Sequence, residues 1–104
     1  MKKIEYGVKY DTGKATLIGE ASSPHFKSDF GHWSAGLYRT GSGRFFLAGE
    51  GGPMTQFSQP AIGGGRTGGE DIIPLDRDGA FQWAQDNLDV ETVEEYFQDM
   101  VEYA

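Results

Sequence analysis

The sequence predicts an α+β domain: a twisted antiparallel sheet of about four to five strands followed by two C-terminal helices packed on one of its faces. Three observations predict it. Apolar residues in the N-terminal half recur with period two or in short strand-like runs, those of the last third recur with helical spacing, and a glycine-rich stretch separates the two regimes. The 104 residues form one domain, since single cores typically form at about 100–150 residues. Within it, 1–50 is strand-rich, 51–69 is a glycine-rich loop, and 70–104 holds a short strand and the helices.

In chain order, Ile4, Tyr6, Val8 and Tyr10 alternate with Lys3, Glu5, Gly7 and Lys9, the pattern of a strand with one apolar face. Asp11-Thr12-Gly13-Lys14 is a turn in which Asp bonds its own backbone and Gly supplies a positive φ. A second strand over 15–21 then forms a hairpin with the first. Residues 22–32 contain Pro24 and Gly31 and read as irregular. Rich in Leu, Tyr and Phe, 33–40 and 44–50 read as two strands joined through Gly41-Ser42-Gly43, a hairpin signal. The stretch 51–69 has seven glycines and two prolines in nineteen residues. No regular element is expected there, and its length marks it as a binding surface or a disordered segment. Ile72-Ile73 makes a short strand stopped by Pro74.

Asp76 is the expected N-cap of a helix with Ala80, Phe81, Ala84 and Leu88 on one face, in which Gly79 costs roughly 1 kcal/mol relative to Ala. Asp89 is the expected cap of a second helix reaching the C-terminus, with Val93, Phe97, Met100 and Ala104 inward and Glu91, Glu94, Glu95, Gln98 and Glu102 towards solvent. Asp89 and Glu91 suit a helix N-terminus, whereas Glu102 near the C-terminus opposes the dipole.

Composition narrows the function. Apolar residues are 38% of the chain, with two Trp, five Tyr and seven Phe, enough for a small core without a metal or a staple. The absence of cysteine removes thiolate chemistry and Cys-based zinc sites and permits a reducing compartment. No apolar run approaches the ~18 residues of a membrane span, and Met1-Lys2-Lys3 leads into no apolar signal region. A cytoplasmic protein without membrane contact is expected. The net charge of −7 is unevenly spread: 1–69 holds eight Lys/Arg against five Asp/Glu, whereas 70–104 holds Arg77 alone against eleven acids. Such an asymmetry repels nucleic acid and attracts a basic partner; a solvated helix face that keeps the chain soluble has the same composition.

Motifs for chemistry are weak. Gly63-Gly64-Gly65-Arg66-Thr67-Gly68-Gly69 lacks the Gly-Lys-Ser/Thr that opens a helix in a phosphate loop, although Arg66 offers a guanidinium to an anion or a partner carboxylate. His25, Asp29 and His32 have ligand-type side chains, but Pro24 and Gly31 argue against the helical turn that would converge them. Ser22, Ser23, Ser28 and Ser34 lie near those histidines without any nucleophile motif. Lys27, Arg39, Arg44 and Arg66 beside Tyr38, Phe45 and Phe46 are too few to neutralise a phosphate track next to so acidic a tail. No enzyme, no cofactor, no metal and no direct nucleic-acid binding are expected.

Tyr10-Asp11-Thr12, Ser28-Asp29-Phe30, Leu37-Tyr38-Arg39-Thr40, Arg44-Phe45-Phe46-Leu47-Ala48-Gly49-Glu50-Gly51-Gly52, Gly69-Glu70-Asp71-Ile72-Ile73-Pro74-Leu75 and Trp83-Ala84 span most of the chain. In these segments it resembles a family of small bacterial proteins associated with plasmids, phages and other mobile elements. Gly13-Lys14 departs from the acidic residue expected in that turn, which touches only a hairpin tip. The resemblance implies a setting in which small acidic proteins act as anti-CRISPR or anti-restriction factors, by covering basic surfaces of nucleic-acid-handling complexes. The expected function is therefore a non-enzymatic inhibitor of a bacterial effector complex. Its candidate contacts are the acidic face Glu91, Glu94, Glu95, Gln98 and Glu102, and the 51–69 loop with Arg66. The alternative is a mobile-element or host adaptor with no defence role, acting through protein contacts or as a homodimer through an exposed strand edge.

Overall fold

The computed structural model describes residues 1–24 and 29–104. Its centre is a four-stranded antiparallel sheet built from β3 (Thr16–Ser22), β4 (Trp33–Arg39), β5 (Phe45–Gly51) and β8 (Gly69–Leu75), in the spatial order β3-β4-β5-β8. Helices α1 (Arg77–Asn87) and α2 (Val90–Phe97) pack against it. The α+β class with two C-terminal helices on the sheet is thus the observed architecture.

Alternation along the strands sorts the core into two clusters. Leu37, Phe45 and Leu47 face the helices and bury against Ala80, Ala84, Val93 and Phe97. A bulge between Leu17 and Gly19 adds Ile18 to that side. Tyr38, Phe46, Ala48 and Ile72 face the other way, where Val8 and Tyr10 cover part of them. Phe46 stacks on Tyr38 at 5.2 Å and meets the edge of Tyr10 at 5.5 Å. Buried rings at such separations each add to core stability beyond the area they remove from water.

The N-terminal segment differs from its expected form. It is a separate hairpin of β1 (Lys2–Glu5) and β2 (Val8–Asp11), with Tyr6 and Gly7 at φ 50° and 76° forming the turn. Both central residues of such a two-residue turn take positive φ, a conformation that Gly7 adopts without steric penalty. The turn places Ile4 outward, 69% exposed, while Val8 and Tyr10 pack on the sheet. Lys3 points inward: its Nζ donates to Asp71 Oδ1 and to the Ile72 carbonyl, both at 3.1 Å, fastening the hairpin to β8. The strand over 15–21 accordingly pairs with β4 and not with the first strand. Asp11 does accept from the Gly13 amide, at 2.9 Å, but Gly13 keeps a negative φ inside a short 3-10 turn, Thr12–Lys14.

The Gly41-Ser42-Gly43 hairpin forms as expected, closed by Thr40 and Arg44 with Gly43 at φ 89°. In the glycine-rich stretch the expectation of no regular element is corrected. Gln59–Pro60 (β6) and Arg66–Thr67 (β7) pair as a small ladder whose tip is Gly63-Gly64-Gly65, all at positive φ, and Phe57, two residues before it, is fully buried. β8 runs through Pro74 to Leu75; this is tolerated because β8 is a sheet edge, where a missing amide proton leaves no ladder bond unmade.

Both helix caps are where the carboxylates predicted them. Asp76 Oδ1 accepts from Gly79 N at 2.7 Å, and Asp89 Oδ1 from Thr92 N at 2.8 Å. The hydroxyl and then the amide of Thr92 hold the Asp89 carboxyl below its ordinary value. A depressed carboxyl stabilises the fold above its unfolded pKa of about 3.9 and loses that contribution as pH falls through the lower folded value. D89A is therefore expected to be less stable than wild type at neutral pH, with the difference closing below about pH 3.9. Urea melts of both proteins along an acid series check this, and a pH-independent difference would contradict it.

The second helix is shorter than its periodicity predicts. Phe97 leaves the helical region at φ −132°, ψ 28°, and a 3-10 turn, Gln98–Met100, follows. Asp99 and Glu102 lie where the helix dipole disfavours acids, and Arg77 of α1 instead binds Asp99 and contacts Met100 Sδ. Ala104 ends exposed and not on the core face.

Candidate functional site

The acidic face survives the early end of α2 in altered form. Glu91, Glu94 and Glu95 are exposed on the helix, Gln98 opens the 3-10 turn, and Glu102 lies beyond it in extended chain. Glu102 is therefore not one helical turn beyond Gln98, but it lines, with Glu94, a groove between α1 and α2. Glu91, Glu94 and Glu102 form no ion pair with any described residue. Burial first, and the Glu95 carboxylate second, push the Tyr96 phenol up. The Arg39 guanidinium sits 5.2 Å above the Tyr96 ring and ties α2 to β4. The acids are thus mounted on an element whose inner side is fixed by Phe97, Val93 and Tyr96.

Arg66 belongs to a different surface. It lies on β7 within the β5–β8 connection, whereas α2 packs against β3 at the opposite edge of the sheet. Its guanidinium is engaged, with Nε donating to Ser58 Oγ at 3.1 Å and Nη2 to the Ser58 carbonyl and hydroxyl at 2.8 Å. The arginine braces its own hairpin and is not brought together with the acidic face.

Of the ligand-type trio, His25 lies outside the described residues. Among the described residues no group of three or more His, Asp or Glu is arranged to hold a metal ion. His32 is drawn towards Ser23, whose hydroxyl lies 3.4 Å from Nδ1 and accepts from Trp33 N at 3.1 Å. Ser23 is only 9% exposed, so this contact closes the β3–β4 connection and offers little access to a substrate. His32 also borders an open cleft of about 480 Å³ with Glu50 and Glu70, two acids directly opposed in the β5–β8 register. Cross-strand like charges destabilise a sheet, and the pairing escapes sequence reading because it depends on register.

The feature that periodicity missed is apolar. Val90 is 66% and Val101 39% exposed, beside Leu88 and Phe81. The signal was Val90, three residues before Val93, widening the apolar stripe of α2 past the part that the sheet covers. Among the described residues no helix is long and apolar enough to cross a membrane. Comparison with known proteins finds no matching family model, no similar curated protein and no similar solved structure.

Proposed function

We propose that the protein is a non-enzymatic inhibitor, acting in the bacterial cytoplasm, that binds a basic surface of a nucleic-acid-handling defence complex of the anti-CRISPR or anti-restriction type. The observation that carries this reading is the mounting of Glu91, Glu94 and Glu95 on one exposed side of a helix fixed to the core, in a region whose one basic side chain, Arg77, is already paired with Asp99. Fixed carboxylates occupy Lys/Arg sites built for phosphates and accelerate encounter by steering. The resemblance to mobile-element proteins supplies the defence setting.

The test is affinity capture from a nuclease-treated bacterial lysate, followed by reconstitution. The expected result is retention of a defence-complex subunit with a basic surface, and loss of target binding or cleavage when the purified protein is added to that complex. Recovery of nucleic acid alone would overturn the reading. Recovery of the protein alone would favour the adaptor reading, which has its own observation: the outer edge of β3, Thr16–Ser22, pairs with no other strand among the described residues, as an edge that joins a second copy would.

A further inference from the structure

We propose that the groove between α1 and α2 receives a basic amphipathic segment of a partner protein, whose apolar side chain seats on Phe81, Leu88, Val90 and Val101 while its flanking Lys or Arg residues meet Glu94 and Glu102. This rests on the reading of the protein as a partner-binding molecule, but it moves affinity from the charged helix face to an apolar floor. The groove is open and measures about 440 Å³, similar to the cleft beside His32, so its lining and not its size sets it apart. Its walls come from three pieces of chain: Phe81 and Leu88 from α1 and its cap, Val90 and Val93 from α2, and Met100 and Val101 from the segment after it. Single exposed apolar residues are ordinary; Val90 and Val101 differ in that they continue a partly buried apolar surface into the groove.

Charge selects the occupant. Every ionisable group among the groove's lining residues is an acid, Glu94 and Glu102, and the one cation of 70–104, Arg77, is paired with Asp99. An acidic peptide or a nucleic acid is repelled. A second copy of this chain brings the same acidic lobe and a net charge of −7. A segment that alternates large apolar side chains with Lys or Arg satisfies both floor and rim, as amphipathic helices do in grooves.

The experiment titrates the purified, ¹⁵N-labelled protein with a synthetic amphipathic peptide of leucine and lysine, beside an all-lysine peptide of equal charge and a leucine–glutamate peptide. The expected result is binding of the leucine–lysine peptide with amide shifts centred on Leu88, Val90 and Val101, weakened at least about tenfold, or roughly 1.4 kcal/mol, in V90Q/V101Q. Both side chains are exposed, so the variant keeps the wild-type circular dichroism, and V101Q alone gives a smaller loss in the same direction. Equal binding of the all-lysine peptide, unaltered in V90Q/V101Q, would overturn the groove and leave the acidic-face reading standing. Binding of the leucine–glutamate peptide as tight as the leucine–lysine one would overturn charge selection. Concentration-dependent broadening at the groove without peptide, competed by none of them, would make the occupant a second copy. Peptide docking with no defence complex captured would retain the groove and discard the proposed function.

Discussion

Replacing Phe97 with alanine is expected to destabilise the protein by about 3–5 kcal/mol, a large share of the 5–15 kcal/mol that holds a typical domain folded. Phe97 is fully buried, stacks over Phe45 at 5.4 Å and tilts against Phe81 at 5.6 Å, so it joins α2, the sheet and α1 at one point. Removing the ring leaves a cavity among three elements that are each braced by the others and collapse poorly into it. For a domain of this size the melting temperature should fall on the order of 15–30 °C, read by circular dichroism. F97L, which keeps most of the volume, should lose less than half as much. A loss below about 1 kcal/mol in F97A would place the residue outside the packing centre. Because α2 carries Glu91, Glu94 and Glu95, F97A should also weaken partner binding by loosening the scaffold, which separates it from variants that alter the surface alone.

The double reversal E94K/E95K is the surface variant. Both side chains are exposed, and each reversal adds two units of charge, taking the net value from −7 to about −3, which lessens self-repulsion. The fold should remain, with melting within about 2 °C of wild type, since exposed substitutions usually change stability by under about 0.5 kcal/mol. Affinity for a basic partner should fall by roughly 10–100-fold at low salt, mostly through slower association, and the difference should shrink as salt screens the charges. Surface plasmon resonance with the captured effector measures both. Unchanged inhibition by a folded E94K/E95K protein would discard phosphate mimicry and, because Glu94 also lines the groove, the charge selection proposed there, leaving only its apolar floor as a binding determinant.

Local chemistry was legible where a residue acts on its own neighbours. Asp76 and Asp89 cap their helices because a carboxylate three residues ahead of an unpaired amide needs no tertiary help. Gly43 closes its hairpin for a similarly local reason, the positive φ of the turn. The misreadings occur where local signals are degenerate. Alternation from Ile4 to Tyr10 suits one strand as well as two strands around Tyr6-Gly7, and the choice is made by Tyr10 docking on Phe46 and Lys3 on β8. The helical spacing of Phe97, Met100 and Ala104 suits a longer α2, but Arg77 captures Asp99 from another element and the last turn tightens. Pro74 signals a stop unless the strand is known to be an edge.

For the candidate surface, the sequence alone determined the surplus of acids after residue 69 and the solvent-facing positions Glu91, Glu94 and Glu95, because charge count and helical period are properties of the chain itself. Only the tertiary structure decided that Arg66 stands apart from them, held by Ser58 on its own hairpin, and that Glu102 and Glu94 line one apolar groove. Those relations arise where α1, α2 and the chain beyond them converge on the sheet. A convergence of that kind is set by which apolar faces bury one another, at separations in sequence that no local pattern records.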